Sequence, residues 1–213
     1  MRALDPWEDL ESEVRSCRRC RLWQYRKNAV PGEGNRSAEI MFVGEAPGEA
    51  EDETGRPFVG PAGRLLTELM EEFSIRREEV YITNVVKCRP PGNREPRDDE
   101  IEACYPFLKR QIELVKPRVI VALGRHAART LMGRAGLYFK SMASSHGRSY
   151  DVEINGIRVK LFVTYHPASA LYNPQMKDVL ARDFRLLASL VGKGRGPTLM
   201  DFARGAKPGG ASQ

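Results

Sequence analysis

Apolar positions fall along the chain in two patterns, short continuous runs and helix-spaced stripes, and they alternate. Glu39-Ile-Met-Phe-Val-Gly44 is an apolar run ending in a glycine-rich turn, which predicts a buried strand feeding a loop. Pro61 to Phe73 places Leu65, Leu66, Leu69, Met70 and Phe73 on one face, with Pro61 suited to a first turn, and predicts a helix. Val80 to Val86 is rich in β-branched residues and predicts a second strand; Arg97 to Val115 is amphipathic and predicts a second helix. Arg118 to Leu123 reads as a third, fully buried strand, and Gly124 opens a short helix running to about Met132. Tyr150–Ile154 and Ile157–Thr164 flank Asn155-Gly156, two residues that tolerate positive φ, and so predict a hairpin. Pro174 to Leu190 predicts a last helix.

Three β-loop-α cycles predict an α/β fold, a small, mainly parallel sheet with helices on both faces. Ligand sites of such sheets lie beyond the carboxyl ends of the strands. Gly44 to Gly48, Asn84 and His166 each follow or sit near such an end, so three distant segments should meet in one cleft. The 213 residues suffice for one domain over 1–190, and 191–213, rich in Gly, Lys, Arg and Pro, reads as a disordered basic tail. No apolar run approaches the roughly 20 residues that span a bilayer. The first ten residues carry acidic groups and a Trp instead of a basic apolar leader, which predicts a cytoplasmic protein with reduced cysteines.

Composition adds a sign. Lys and Arg number 34 against 28 Asp and Glu, a net charge of +6 that suits a polyanionic partner without establishing one. The four cysteines, Cys17, Cys20, Cys88 and Cys104, form a C-x2-C pair and a second, distant pair, which suits tetrahedral zinc or an iron-sulfur cluster; spacing does not choose between them. Arg18, Arg19, Arg21, Lys87 and Arg89 are poor core neighbours, which argues against four merely buried thiols.

Gly44-Glu-Ala-Pro-Gly48 lacks the phosphate-loop patterns and runs into Glu49-Ala-Glu-Asp-Glu53, four carboxylates in five positions, which argues against phosphate cradling as its task. Glu45 sits where a side chain or amide can face a cleft, whereas Glu49, Asp52 and Glu53 read as a solvated acidic loop. Asn84 lies in an apolar strand and needs both a donor and an acceptor as partners; a nucleobase edge supplies both, as does neighbouring backbone. His166, before a proline at a strand end, is a better functional candidate than His126 or His146.

Taken in order, Cys17-x2-Cys20 with Cys88-x15-Cys104, Gly44-Glu-Ala-Pro-Gly48 followed by Glu51-Asp52, Gly55-Arg-Pro-Phe-Val-Gly-Pro-Ala-Gly63, Thr83-Asn84 and His166-Pro-Ala-Ser169 closely resemble the family 4 uracil-DNA glycosylases, the prokaryotic iron-sulfur type. The resemblance runs from about Ser16 to Leu190. It implies a three-layer α/β/α sandwich, a structural 4Fe-4S cluster on the four cysteines with zinc as the lesser alternative, and removal of uracil from single- or double-stranded DNA in base excision repair. It further implies a monomer of the prokaryotic cytoplasm and nucleoid.

The same resemblance assigns tasks. Gly44, Glu45, Ala46, Phe58, Asn84 and His166 would bind uracil, Phe58 by stacking and Asn84 by hydrogen bonds that cytosine cannot match. His166 would stabilise departing uracil, Glu51 would crowd the C5 position and exclude thymine, and Leu171 and Tyr172 would wedge into the duplex. Family 1 enzymes carry Asp where this chain has Ala46; Glu45 is the substitute for orienting water or stabilising the sugar cation. The alternative is a non-catalytic iron-sulfur or zinc module of the same fold that only grips DNA, against which Asn84 and His166 argue. In the tail, Leu199 and Phe202 are spaced like the short peptides that dock on sliding clamps, with Gly196 in place of the usual glutamine.

Overall fold

A computed structural model describes residues 5–193. Six strands form one sheet: β1 (Glu33–Gly34), β2 (Ile40–Gly44), β3 (Tyr81–Asn84), β4 (Val119–Leu123), β5 (Arg148–Ile154) and β6 (Ile157–Thr164), in the order β1-β3-β2-β4-β6-β5. The inner four run parallel, and each edge strand pairs antiparallel with its neighbour. Chain order departs from β2 to β3 on one side and to β4 on the other, so the sheet's switch point lies beside β2.

Alternation along the strands sorts side chains into two cores. Met41 and Val43 of β2, with Ile120 and Ala122 of β4, face α1 (Pro6–Ser16), α4 (Asp98–Val115) and α5 (Arg125–Arg134). Ile40 and Phe42, with Val119, Val121 and Leu123, face α3 (Pro61–Glu72) and α8 (Met176–Leu190). The result is the expected three-layer α/β/α arrangement. Among the described residues no helix is long and apolar enough to cross a membrane.

Three local departures from the sequence pattern matter for the site. β3 stops at Asn84, two residues before the apolar run ends, because the amides of Val85 and Val86 turn to the carbonyls of Gly44 and Glu45 (2.9 and 3.1 Å). The acidic stretch is a helix, α2 (Glu49–Thr54), and its Asp52 is buried, accepting from the amides of Lys27 and Asn28 at 3.0 and 3.2 Å. The short α7 (Ser169–Tyr172) follows His166. The hairpin is as expected, with Asn155 and Gly156 at φ 53° and 78°. Leu199 and Phe202 lie outside the described residues.

Candidate active site and the cysteine pocket

The carboxyl ends of β2, β3 and β6 open on one cleft of about 670 Å³, a size that suits a small organic ligand. Glu45, Ala46, Glu51, Phe58, Asn84, His166, Leu171 and Tyr172 all line it, so the segments singled out in the sequence do meet. Gly44 lies directly beneath. A Cβ there would stand 2.3 Å from Asn84 Oδ1 and 2.5 Å from Phe58 Cζ, so only glycine lets the two approach. Gly44→Ala should therefore push Asn84 and Phe58 apart, lowering stability by about 1–3 kcal/mol and misplacing both groups that face the cleft. Thermal melts of the variant check this, and a parental melting temperature would contradict it.

Asn84 is 1% exposed, and among the described residues no donor reaches its Oδ1. An unpaired buried carbonyl costs roughly 1–3 kcal/mol, a cost that a bound donor recovers. Phe58 holds a left-handed backbone, φ 52°, which a bulky residue adopts only under constraint. Glu51 supplies that constraint. One carboxylate oxygen accepts from the amides of Val59 and Gly60 (2.9 and 2.8 Å) and the other from Gly48 (3.1 Å), clasping the Phe58 loop to α2. The Phe58 ring stacks near His166, centroids 5.6 Å apart.

His166 Nδ1 accepts the Ala168 amide at 3.2 Å, which leaves the proton on Nε2. Burial pulls its pKa down to about 4, so the ring is neutral near pH 7. Behind it, Thr164 and His146 both bond the buried Asp183, and His146 packs on Tyr165 at 4.8 Å, steadying the end of β6.

Burial raises the pKa of Glu45; among the charges acting on it, His126 opposes the rise, Glu95 adds to it, and Arg125 opposes it. His126 is buried, with Nε2 3.1 Å from Glu95 Oε2. Sequence reasoning ranked His126 low because its helix-start position carries no chemical signal; its partner Glu95 is 31 positions away. It also missed Arg94, which lines the cleft while its guanidinium makes a two-pronged pair with the fully buried Glu100 (2.7 and 2.8 Å). That pair fixes the loop leading into α4.

The four cysteines share a second, smaller pocket with Val14, Trp23, Arg26, Lys87 and Phe107, and among the described residues no carboxylate or imidazole lines it. Their sulfurs accept N–H bonds: Arg26 Nη1 to Cys88 (3.0 Å), the Lys87 amide to Cys104 (3.3 Å) and the Arg19 amide to Cys17 (3.4 Å). Burial pushes Cys104 up to about 12 and raises Cys20 and Cys88, so thiolates here call for a bound cation. The donor set fits an all-thiolate metal group. Among the described residues, no three His, Cys, Asp or Glu surround a point where a single metal ion could sit; the thiols ring a pocket. Lys87, expected to lie outside the core, is 1% exposed, because its amine finds three buried acceptors.

The model of the uracil DNA glycosylase superfamily matches residues 31–187. A type-4 uracil-DNA glycosylase of Sulfurisphaera tokodaii is 52% identical over 88% of this chain and 86% of its own length. Relatives with the same description in Saccharolobus solfataricus and Archaeoglobus fulgidus are 53% and 48% identical, over 85% and 93% of this chain and 85% and 100% of their own. Since the match takes in the strands that end at Gly44, Asn84 and Thr164, and near-half identity extends over most of the chain, this protein belongs to the uracil DNA glycosylase superfamily, among its type-4 members.

Proposed function

We propose that the chain removes uracil from DNA by hydrolysing the N-glycosidic bond of deoxyuridine, leaving an abasic site for base excision repair. The observation that carries this reading is the Asn84 carboxamide, buried with Oδ1 unpaired among the described residues, at the floor of a cleft walled by an aromatic ring and a neutral imidazole. Incubation with a uracil-containing oligonucleotide followed by alkali should cut the strand at uracil; an intact strand would contradict the reading.

The target base must leave the stack to reach the cleft. Phe58 takes its face. Asn84 Oδ1 accepts from uracil N3–H and Nδ2 donates to O4; cytosine presents an acceptor at N3 and a donor at N4, and meets both mispaired. Glu51, by holding the Phe58 loop, narrows the C5 side against a methyl group. Leu171 and Tyr172, 47% and 88% exposed at the cleft mouth, suit a wedge that fills the vacated stack.

As the bond breaks, N1 keeps the bonding pair and the sugar becomes cationic. The His166 Nε2–H donates to uracil O2 and stabilises the departing anion, as oxyanion donors do. Ionised Glu45 faces the cation and orients water, whose hydroxyl joins C1′ while its proton passes to the carboxylate. Because burial raises the Glu45 pKa, the rate should climb with pH through a value above that of an ordinary glutamate and then level. His166, already neutral above about pH 5, should add no inflection near 6.5. A pH profile of single-turnover rates checks both points: Glu45→Gln should abolish the acid limb, and an inflection near 6.5 that His166→Gln removes would overturn the neutral-donor role.

Cys17, Cys20, Cys88 and Cys104 would hold a 4Fe-4S cluster, whose contribution is to pin the two cysteine segments together. Thiols ringing a pocket suit several irons better than one zinc, whose ligand sulfurs lie about 2.3 Å from a single centre. On this reading the protein acts as a monomer on single- or double-stranded DNA in the prokaryotic cytoplasm, at the nucleoid.

A further inference from the structure

Between the cleft and the cysteine pocket lies a buried polar network that neither site's chemistry explains. Lys87 Nζ donates to Thr83 Oγ1, to the Asn84 carbonyl oxygen and to Gln111 Oε1, each at 2.6 Å. Thr83 Oγ1 in turn donates to the Pro31 carbonyl at 2.7 Å, and Gln111 Nε2 donates to the same carbonyl at 2.6 Å and to the Tyr81 hydroxyl at 3.1 Å. Thr83 and Gln111 are fully buried and Lys87 is 1% exposed. A buried amine on a flexible stem loses more solvation and rotamer freedom than a packed apolar side chain does, so bulk stability does not account for it.

What the network does is local. Lys87 reaches back three and four residues along its own chain to the end of β3, where Asn84 turns its carboxamide into the cleft. Its backbone amide, meanwhile, donates to Cys104 Sγ at 3.3 Å, and its side chain lines the thiol pocket. One residue therefore touches both the cysteine pocket and the peptide that carries Asn84. Among the described residues the Asn84 Oδ1 has no hydrogen-bond partner to orient it, so its direction depends on that peptide.

We propose that Lys87 is the positioning residue for Asn84: it holds the strand-end peptide, and with it the carboxamide at the cleft floor, in a place fixed relative to the cysteine pocket. The inference rests on the reading of Asn84 as the group that pairs with the base. It makes the cysteine segments part of base recognition through geometry, with no electron or proton passing between the sites.

The test uses the full chain with its iron loaded. Lys87→Met should keep parental iron content and the absorption band near 400 nm. Its single-turnover excision of uracil should slow by roughly tenfold or more, the scale of losing hydrogen bonds that orient a buried group. Fluorescence anisotropy with DNA carrying 2′-fluoro-deoxyuridine or 2′-fluoro-deoxycytidine, whose glycosidic bonds resist cleavage, should show the preference for uracil shrinking in parallel. The double variant Lys87→Met/Asn84→Ala should be no slower than Asn84→Ala alone, since both act through one group.

A Lys87→Met rate within twofold of the parent, or losses that add in the double variant, would overturn the proposal. If Lys87→Met takes up no iron, Gln111→Met answers the same question: a loss of a few fold that vanishes in the Asn84→Ala background supports the proposal, and an unchanged rate overturns it. A parental rate for Asn84→Ala alone overturns the base-pairing assignment and this inference with it. A slow Asn84→Ala beside a parental Lys87→Met overturns this inference alone.

Discussion

Asn84→Asp is expected to cut uracil excision on the order of 100-fold and to open a slow activity on cytosine. The reason is the direction of two hydrogen bonds. An ionised carboxylate still accepts from uracil N3–H, but its second oxygen faces O4 with no proton to give. Two acceptors then oppose each other in a site that is 1% exposed, at a cost of several kcal/mol once the missing donor and the buried charge are counted. Burial raises a carboxyl's pKa, so lower pH should populate the protonated acid, whose hydroxyl can donate to cytosine N3 while its carbonyl accepts from N4. Cytosine excision by this variant should therefore rise as pH falls. Single-turnover assays on paired oligonucleotides that differ only in the target base measure both effects, and uracil turnover at the wild-type rate would falsify the role of Asn84.

The second large effect is expected at His166. Removing one preorganised donor to a developing anion costs about 10²–10³ in rate, or roughly 3–4 kcal/mol. His166→Ala should lose that much in the chemical step with little change in DNA affinity, because ground-state uracil O2 carries far less charge than the departing anion. His166→Gln can still place an N–H near O2 and should recover part of the loss. The packing around Phe58 is a competing explanation, since the two rings lie 5.6 Å apart. Gln separates the two, because it restores a donor without restoring a stacked ring. Equal losses for Ala and Gln would assign the effect to packing.

Much of this was legible in the sequence because the chemistry sits where period and punctuation change together. β2, α3 and β4 are clean apolar patterns bounded by glycine or proline, and the Asn155-Gly156 turn specifies its hairpin. Gly44, Asn84 and His166 could be grouped before any coordinates because parallel strands deliver their carboxyl ends to one side. The acidic stretch was less legible. Glu49, Asp52 and Glu53 read as solvated, yet Asp52 is buried and accepts from two amides, and the three amides that Glu51 bonds are not visible in the sequence either until the Phe58 loop and the Lys27–Asn28 segment fold against them. α1 was missed although Asp5 caps it at 3.1 Å and Pro6 opens it, since its apolar residues are few and its burial comes from α4. Lys87 was misjudged for the opposite reason. A lysine beside a cysteine looks like surface, and only the convergence of Thr83, Asn84 and Gln111 gives its amine somewhere to go.

The sharpest single measurement is a crystal structure with DNA carrying 2′-fluoro-deoxyuridine, in which the fluorine destabilises the sugar cation and preserves the bond. The expected result is a flipped uracil with N3 within hydrogen-bonding distance of Asn84 Oδ1, its ring over Phe58 and its O2 facing His166 Nε2. A uracil left in the stack, or one seated away from Asn84, would contradict the account.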